Sequence, residues 1–458
     1  MDKRVEFYRK IFKKNESQLE KLYFDFLRFP TMSADHTFRP KLKACAEWLK
    51  TFLEKLGFTV ELWTKKDAPI VYATHCTAGK DKPTLLLYNH YDVQPVDPIE
   101  LWESDPFTPR KVKNSIFARG AQDNKGQCFY VLAALKALVE THKKLPINIK
   151  LCIEGEEESG SKELQELLNK KKKELKADYL MIVDLGMPDE KTPAITLGTR
   201  GLTAFTIEAE GTNTDLHSGS HGGLAYNPLR ALVEVLAKLR DEKGKIRIPH
   251  FYDDVVMPTR QDLKNVDLTF NQKAYTQEFG TPATGGEQAF SPKERFWFRP
   301  TLEINGIHGG YGGPGTKTVI PAKAIAKLSC RLVPHQDPQK IAQLVQQYIE
   351  SLAPKGIKIT CTIEDSFGES VRTPTNSPII SALSAACSTV YKKPCTYIYE
   401  GASIPVTANL AKASGAEVAM FGLGLASDKI HAPNEHFGWD RVEKGSIIMA
   451  LVIENLVP

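Results

Sequence analysis

Leu85-Leu86-Leu87-Tyr88-Asn89-His90-Tyr91-Asp92 decides the reading of this chain. A short apolar run of this kind reads as a strand. It ends on His90 and Asp92, two residues apart, which extended backbone points to the same side. An imidazole beside a carboxylate is a metal ligand with the group that orients it. Standing alone, the pair would equally suit ordinary hydrogen bonds at a strand end.

Working outward, similar runs at 70–74, 147–153 and 179–183 join the strand at 84–88, and helical patterns at 5–27, 40–56, 126–140 and 161–175 alternate with them. That alternation predicts an α/β fold with a mostly parallel sheet and helices on both of its faces. After Leu197-Gly198-Thr199-Arg200-Gly201 the texture changes. Residues 202–210 alternate apolar and polar, as a half-buried antiparallel strand does. A helical stretch at 228–240 follows, then a Pro-, Gly- and charge-rich region from 243 to about 300, and strands within 318–334 and 357–364. From 377 the first texture returns: a helix at 378–391, a Gly-Ala-Ser-Ile-Pro turn opening another, a strand at 418–421 and a terminal helix at 438–456. The expected architecture is one catalytic domain, 1–201 plus 373–458, interrupted by an inserted α+β lid, 202–372.

The bulk composition excludes several classes. With 458 residues, 42% hydrophobic and 25% charged, the chain is a folded globular protein large enough for two or three domains. A net charge of +5, from 60 basic and 55 acidic residues, is too small a surplus to predict nucleic-acid binding. The dense cluster Lys170-Lys171-Lys172-Lys173 reads as a solvated helix face. Charges interrupt 7–27 too often for a signal peptide or a membrane span, so a cytoplasmic protein is expected. The eight cysteines show no C-x-x-C spacing, so neither a disulfide framework nor a thiolate zinc site is expected.

More acids and one more histidine follow the pattern of His90. Asp123 sits in the Gly-bounded loop Arg119-Gly120-Ala121-Gln122-Asp123-Asn124-Lys125-Gly126, just before a helix. The run at 147–153 leads into Glu154-Gly155-Glu156-Glu157-Glu158, a like-charge cluster that calls for cations, protons or water. The run at 179–183 ends in Asp184, and that at 418–421 leads through a Gly-rich loop to His431. Four strands thus deliver a ligand at or soon after their C-terminal ends, the edge where open α/β sheets place their sites. Carboxylate and imidazole without thiolate suit Zn²⁺, Mn²⁺ or Co²⁺, and there are more ligands than one tetrahedral ion needs, which predicts two ions. The adjacent Glu157 and Glu158 allow one to bind metal while the other acts as base toward an activated water.

Together these residues resemble the metallopeptidase family that includes carnosinase and the cytosolic non-specific dipeptidases, carboxypeptidase G, acetylornithine deacetylase and succinyl-diaminopimelate desuccinylase. The resemblance spans essentially the whole chain and includes Asp215-Leu216-His217-Ser218-Gly219. It implies that Asp123 bridges two divalent ions, Zn²⁺ foremost, with His90 and Asp184 completing one site and Glu158 and His431 the other. Glu157 is then the general base, Asp92 orients His90, and the peptide bond after Asp123 is cis. The dipeptidase branch is favoured by the segments 309–321, 329–334 and 400–405. They imply that Arg331 pairs with a substrate carboxylate and that Thr318, Gly401, Ala402 and Ser403 touch the substrate. The insert becomes a lid and dimerisation domain, with His217 reaching the partner's site in a homodimer to stabilise an oxyanion. Ala402 and the Ala-Pro-Asn-Glu-His segment after His431 are read as bearing on substrate detail more than on the metals. The expected activity is hydrolysis of a dipeptide or small peptide-like substrate. An N-acyl amino acid deacylase or desuccinylase is the alternative within enzymes, and a non-catalytic peptidase-like binding protein the alternative outside them.

Overall fold

A computed structural model of the chain describes residues 2–64, 68–142, 144–266, 270–365, 367–401 and 405–457. The strands used below are β1 Thr59–Trp63, β2 Ile70–His75, β3 Thr84–His90, β4 Asn148–Glu154, β5 Tyr179–Val183, β6 Ala194–Thr199, β7 Gly201–Glu210, β8 Thr301–Gly309, β9 Lys323–Leu332, β10 Lys358–Ile363 and β11 Glu417–Phe421. The helices are α1 Lys3–Lys14, α2 Glu16–Leu27, α3 Lys125–Thr141, α4 Pro228–Ala237, α5 Pro338–Ser351 and α6 Trp439–Asn455. By chain contacts the molecule divides into two compact units, one of residues 1–197, 373–398 and 409–458, the other of 198–372 and 399–408.

In the first unit the strand order is β1-β2-β4-β3-β5-β11-β6. The four central neighbours, β4, β3, β5 and β11, run parallel, with Leu85 opposite Ile149 on one side and Tyr179 on the other. Strands of this kind are covered on both faces, so every side chain can be apolar; Leu85 to Tyr88 and Leu180 to Val183 are all fully buried. Helices α3 and α6 are apolar around most of their circumference and correspondingly buried.

The sheet is mixed where a mostly parallel one is expected: β1 with β2, β2 with β4, and β11 with β6 are antiparallel. The flanking strands β1 and β6 are not among those expected from the sequence, and an apolar run such as β2 does not encode its direction. Two long helical patterns are also broken. The stretch 5–27 splits into α1 and α2 at Asn15, whose side-chain amide donates to the Ile11 carbonyl at 3.1 Å and so competes with the backbone ladder. The stretch 161–175 becomes Lys162–Leu168 and Lys172–Leu175, with Lys170 and Lys171 in the break.

The second unit holds a four-stranded antiparallel sheet in the order β8-β9-β7-β10. Strand β7 alternates buried and half-buried residues along its whole length. Its inward residues Phe205, Ile207 and Ala209 pack with Ala326, Leu328 and Cys330 of β9, Leu232 and Val235 of α4, and Ile341 and Val345 of α5. One face is therefore a core and the other is left polar. Strand β8, not among the expected strands although Leu302-Glu303-Ile304-Asn305 alternates, lies at the edge with Ile304 and Ile307 exposed.

Candidate metal centre

Strand β3 ends on His90, β5 is followed by Asp184, β4 by Glu157 and Glu158, and β11 by the loop to His431. Because these strands are parallel neighbours, their C-terminal ends lie side by side, and the first unit brings all five expected ligands together. His90 Nε2 is 3.2 Å from Asp123 Oδ1 and 3.6 Å from Asp184 Oδ2. His431 Nε2 is 2.9 Å from Asp123 Oδ2 and 3.3 Å from Glu158 Oε1. Asp123 thus turns one oxygen to each histidine.

Two donor atoms on a tetrahedral zinc, each about 2.0–2.1 Å from it, stand about 3.3 Å apart, so these separations fit edges of metal polyhedra. The unmatched atoms agree. Among the described residues, His90 Nε2 and Glu158 Oε1 are buried and, beyond the ionic contacts just given, make no hydrogen bond of normal geometry, which a buried polar atom tolerates poorly unless something else is bound. Donor atoms of His90, Asp123 and Glu158 lie within 4.8 Å of one another. The residues fit divalent cations.

Three of the expected ligands, His90, Glu158 and Asp184, are held from behind. Asp92 Oδ1 lies 3.3 Å from His90 Nδ1, and the same carboxylate accepts the backbone N–H of Glu157 at 3.1 Å and of Glu158 at 3.0 Å. Gln94 donates to Glu158 Oε2 at 2.7 Å, leaving Oε1 for a cation. Asn124 donates to Asp184 Oδ1 at 2.5 Å and to the Val183 carbonyl at 2.8 Å. The Asp123–Asn124 peptide bond is cis. Helix α3 starts hard against the Asp123 loop: a Cβ on Gly126 would fall 2.0 Å from the Ala121 carbonyl oxygen, so only glycine fits.

One residue reverses the reading of the segment after His431. Glu435 is fully buried beneath the Asp123 loop and accepts the backbone N–H groups of Gly120, Gln122 and Asp123. It belongs to the metal side of the site, not to substrate detail. Nothing local in Ala-Pro-Asn-Glu-His signals this, because its partners lie more than 300 residues away.

The electrostatics are those of a site with surplus negative charge. Burial, with neighbouring carboxylates, pushes Glu157 up to about 9 and raises Glu158 and Asp184. The Asp123 and Glu158 carboxylates facing its ring raise His431 from 6.5 to about 10. For His90, burial pulls down, but the Asp184, Asp123 and Asp92 carboxylates prevail and lift it well above 6.5. For Asp123, burial raises, yet the two histidines win and hold its carboxyl below the usual range. Without cations the cluster keeps protons in their place.

The remaining expected residues lie in the second unit. His217 Nε2 is 3.2 Å from Thr318 Oγ1, and its Nδ1 accepts the Gly219 N–H at 3.1 Å. Arg331 on β9 stands opposite Leu202 of β7, half-buried, with burial pulling its guanidinium down from its ordinary value. Gly401 is buried, and its carbonyl accepts from Arg200 Nε at 2.9 Å. Ala402 and Ser403 fall outside the described residues. Among those residues, no helix is long and apolar enough to cross a membrane.

Residues 86–455 match the model of peptidase family M20/M25/M40. The chain is 32% identical over 448 residues to the Cys-Gly metallodipeptidase dug1 of Schizosaccharomyces pombe, covering 93% of each protein. It is 32% identical over 399 residues to the Beta-Ala-His dipeptidase of Homo sapiens, covering 84% of this chain and 77% of that one. Among solved structures, the M20 family metallo-carboxypeptidase Sso-CP2 from Sulfolobus solfataricus superimposes with a TM-score of 0.82 at 31% identity, over 96% of this chain and 99% of the other. This chain is a hydrolytic enzyme that uses divalent metal, and it belongs to peptidase family M20/M25/M40.

Proposed function

We propose that the protein is a two-metal dipeptidase of carnosinase type. His90 and Asp184 would hold one ion, Glu158 and His431 the other, and Asp123 both. The observation that carries this reading is the division of Asp123, with Oδ1 toward His90 and Oδ2 toward His431. The all N/O donor set suits zinc first and manganese or cobalt next. Cations bound there would polarise the scissile carbonyl and lower the pKa of water to about 7.

The chain's own residues do the rest. Glu157, fixed at its backbone by Asp92, takes a proton from the attacking water and returns it to the leaving amine nitrogen. Asp92 keeps His90 oriented by facing its Nδ1. Arg331 pairs with the free carboxylate of the substrate through its guanidinium fork. Thr318 and the 401–403 backbone position the substrate. His217, steadied by Thr318, donates to the developing oxyanion of a partner subunit's substrate. In this reading residues 202–372 form the lid and dimerisation domain, and the exposed edge strand β8 supports a homodimer. The eight free cysteines favour a reducing, cytoplasmic setting.

The test is hydrolysis by metal-reconstituted protein of unblocked dipeptides, including β-alanyl and D-amino acid members, against N-acyl amino acids and longer peptides. Metal-dependent cleavage confined to unblocked dipeptides is expected. Preference for N-acyl amino acids would overturn the reading in favour of a deacylase. The likeness to Sso-CP2 favours one further reading, release of C-terminal residues from longer peptides, and the same panel separates it.

A further inference from the structure

Both oxygens of Glu435 are saturated by a single loop. Oε1 accepts the backbone N–H of Gln122 at 2.9 Å and of Asp123 at 3.0 Å. Oε2 accepts the N–H of Gly120 at 2.9 Å and a guanidinium N–H of Arg119 at 2.8 Å. The Glu435 backbone carbonyl also accepts from Ala118 N at 3.2 Å. Residues 118–123 are therefore folded around one buried carboxylate. Four residues before it stands His431, whose ring meets Asp123 Oδ2 from the other side. One short segment grips Asp123 by its backbone and by its carboxylate together.

We propose that Glu435 is the positioning residue that aims the Asp123 carboxylate and thereby sets the affinity for both cations at once. The inference rests on the reading that Asp123 bridges two ions. Its physical basis is leverage. A tilt of about 10° at the Asp123 backbone moves carboxylate oxygens roughly 3.5 Å away by about 0.6 Å, against a tolerance of about 0.2 Å for metal–ligand distances. Three N–H groups pinned to one rigid carboxylate prevent that tilt. A ligand held by one ion could follow it; a ligand shared by two cannot improve one distance without spoiling the other.

The test uses Glu435→Gln, which keeps the volume but turns a donor toward backbone N–H groups and leaves Arg119 without its charge partner. Uptake of Zn²⁺ and of Co²⁺ is measured against buffered free metal, at a temperature where circular dichroism shows the variant folded. Both ions are expected to bind about 10–100-fold more weakly, the range for groups that support a ligand, with the visible Co²⁺ spectrum changing for both. Asp184→Asn and His431→Ala, run alongside, are expected to weaken one ion each. Parental affinities in folded Glu435→Gln would overturn the proposal even if its melting temperature fell, as would weakening of one ion alone. Should Glu435→Gln fail to fold, Glu435→Asp keeps the charge beside Arg119 and draws the carboxylate back by one methylene. Parallel weakening of both ions in that variant supports the proposal, and unchanged binding overturns it. A parent chain that takes up only one ion would remove the two-cation reading itself, and this inference with it.

Discussion

The two sides of Asp123 are built differently. On one side His90 closes a buried strand with its side chain 1% exposed, and Asp184 directly follows the neighbouring strand. On the other, Glu158, its side chain buried, sits in the short 3-10 turn Glu157–Ser159, whereas His431 comes from a loop, its side chain 50% exposed on backbone of positive φ, +59°. Left-handed backbone is uncommon for any residue with a side chain, though histidine adopts it more readily than most. The first side is preorganised by the sheet; the second depends on what the loops are tied to. In the two-cation reading, the Asp123 carboxylate would join a half-site set into the sheet to one whose histidine is half exposed.

Asp123→Ala carries the largest expected effect: both ions are lost and dipeptide hydrolysis falls to the uncatalysed background, read by metal analysis and a turnover assay. Retention of one ion would show the halves to be independent. Glu157→Gln is expected to lower kcat by about 10²–10⁴ while two ions remain bound. A fully active variant would remove its role as base. Replacing each histidine sharpens the contrast further. His431→Ala is expected to lose one ion with little change in melting temperature, whereas His90→Ala loses its ion and also destabilises the fold, because it empties a buried position. In the parent, a chelator titration should strip the Glu158 and His431 side first; simultaneous release would erase the proposed difference.

The smallest effect concerns the metal-free protein. His431 rises from 6.5 to about 10, and Glu157 from 4.5 to about 9. In both cases the folded state binds protons more tightly than the unfolded chain, so stability must fall as pH rises across those windows. The contribution of His431 is complete below pH 6.5 and is lost by about pH 10. Melting curves of the stripped protein between pH 5 and 10 are expected to decline, and those of the metal-loaded protein to decline less. A stripped protein that gains stability with pH would contradict the charge balance described here.

Much of this was legible before any coordinates. The parallel centre of the sheet announced itself because strands covered on both faces must be apolar throughout, and the candidate ligands because each polar residue closing such a run stands out against it. The edges were less legible. Strand direction leaves no mark on an apolar run, so β2 gave no hint of antiparallel pairing, and β1 and β6 are not among the expected strands at all. Nor is β8, whose Leu302-Glu303-Ile304-Asn305 alternates at the end of the Pro-, Gly- and charge-rich region without a matching alternation in burial. Asn15 shows the same limit in miniature: a capping amide inside an otherwise helical pattern splits the helix without interrupting its apolar face.

By itself the sequence determined the α/β class and, as candidates, the insertion, the ligands and the base, because those depend on residue type and on local period. Only the tertiary structure decided which oxygen of Asp123 faces which histidine, and that Gln94, Asn124, Arg119 and Glu435 hold the ligands in place. Their hydrogen bonds join segments tens to hundreds of residues apart. A buried polar side chain is satisfied by whatever the fold brings to it, and no local pattern encodes that partner.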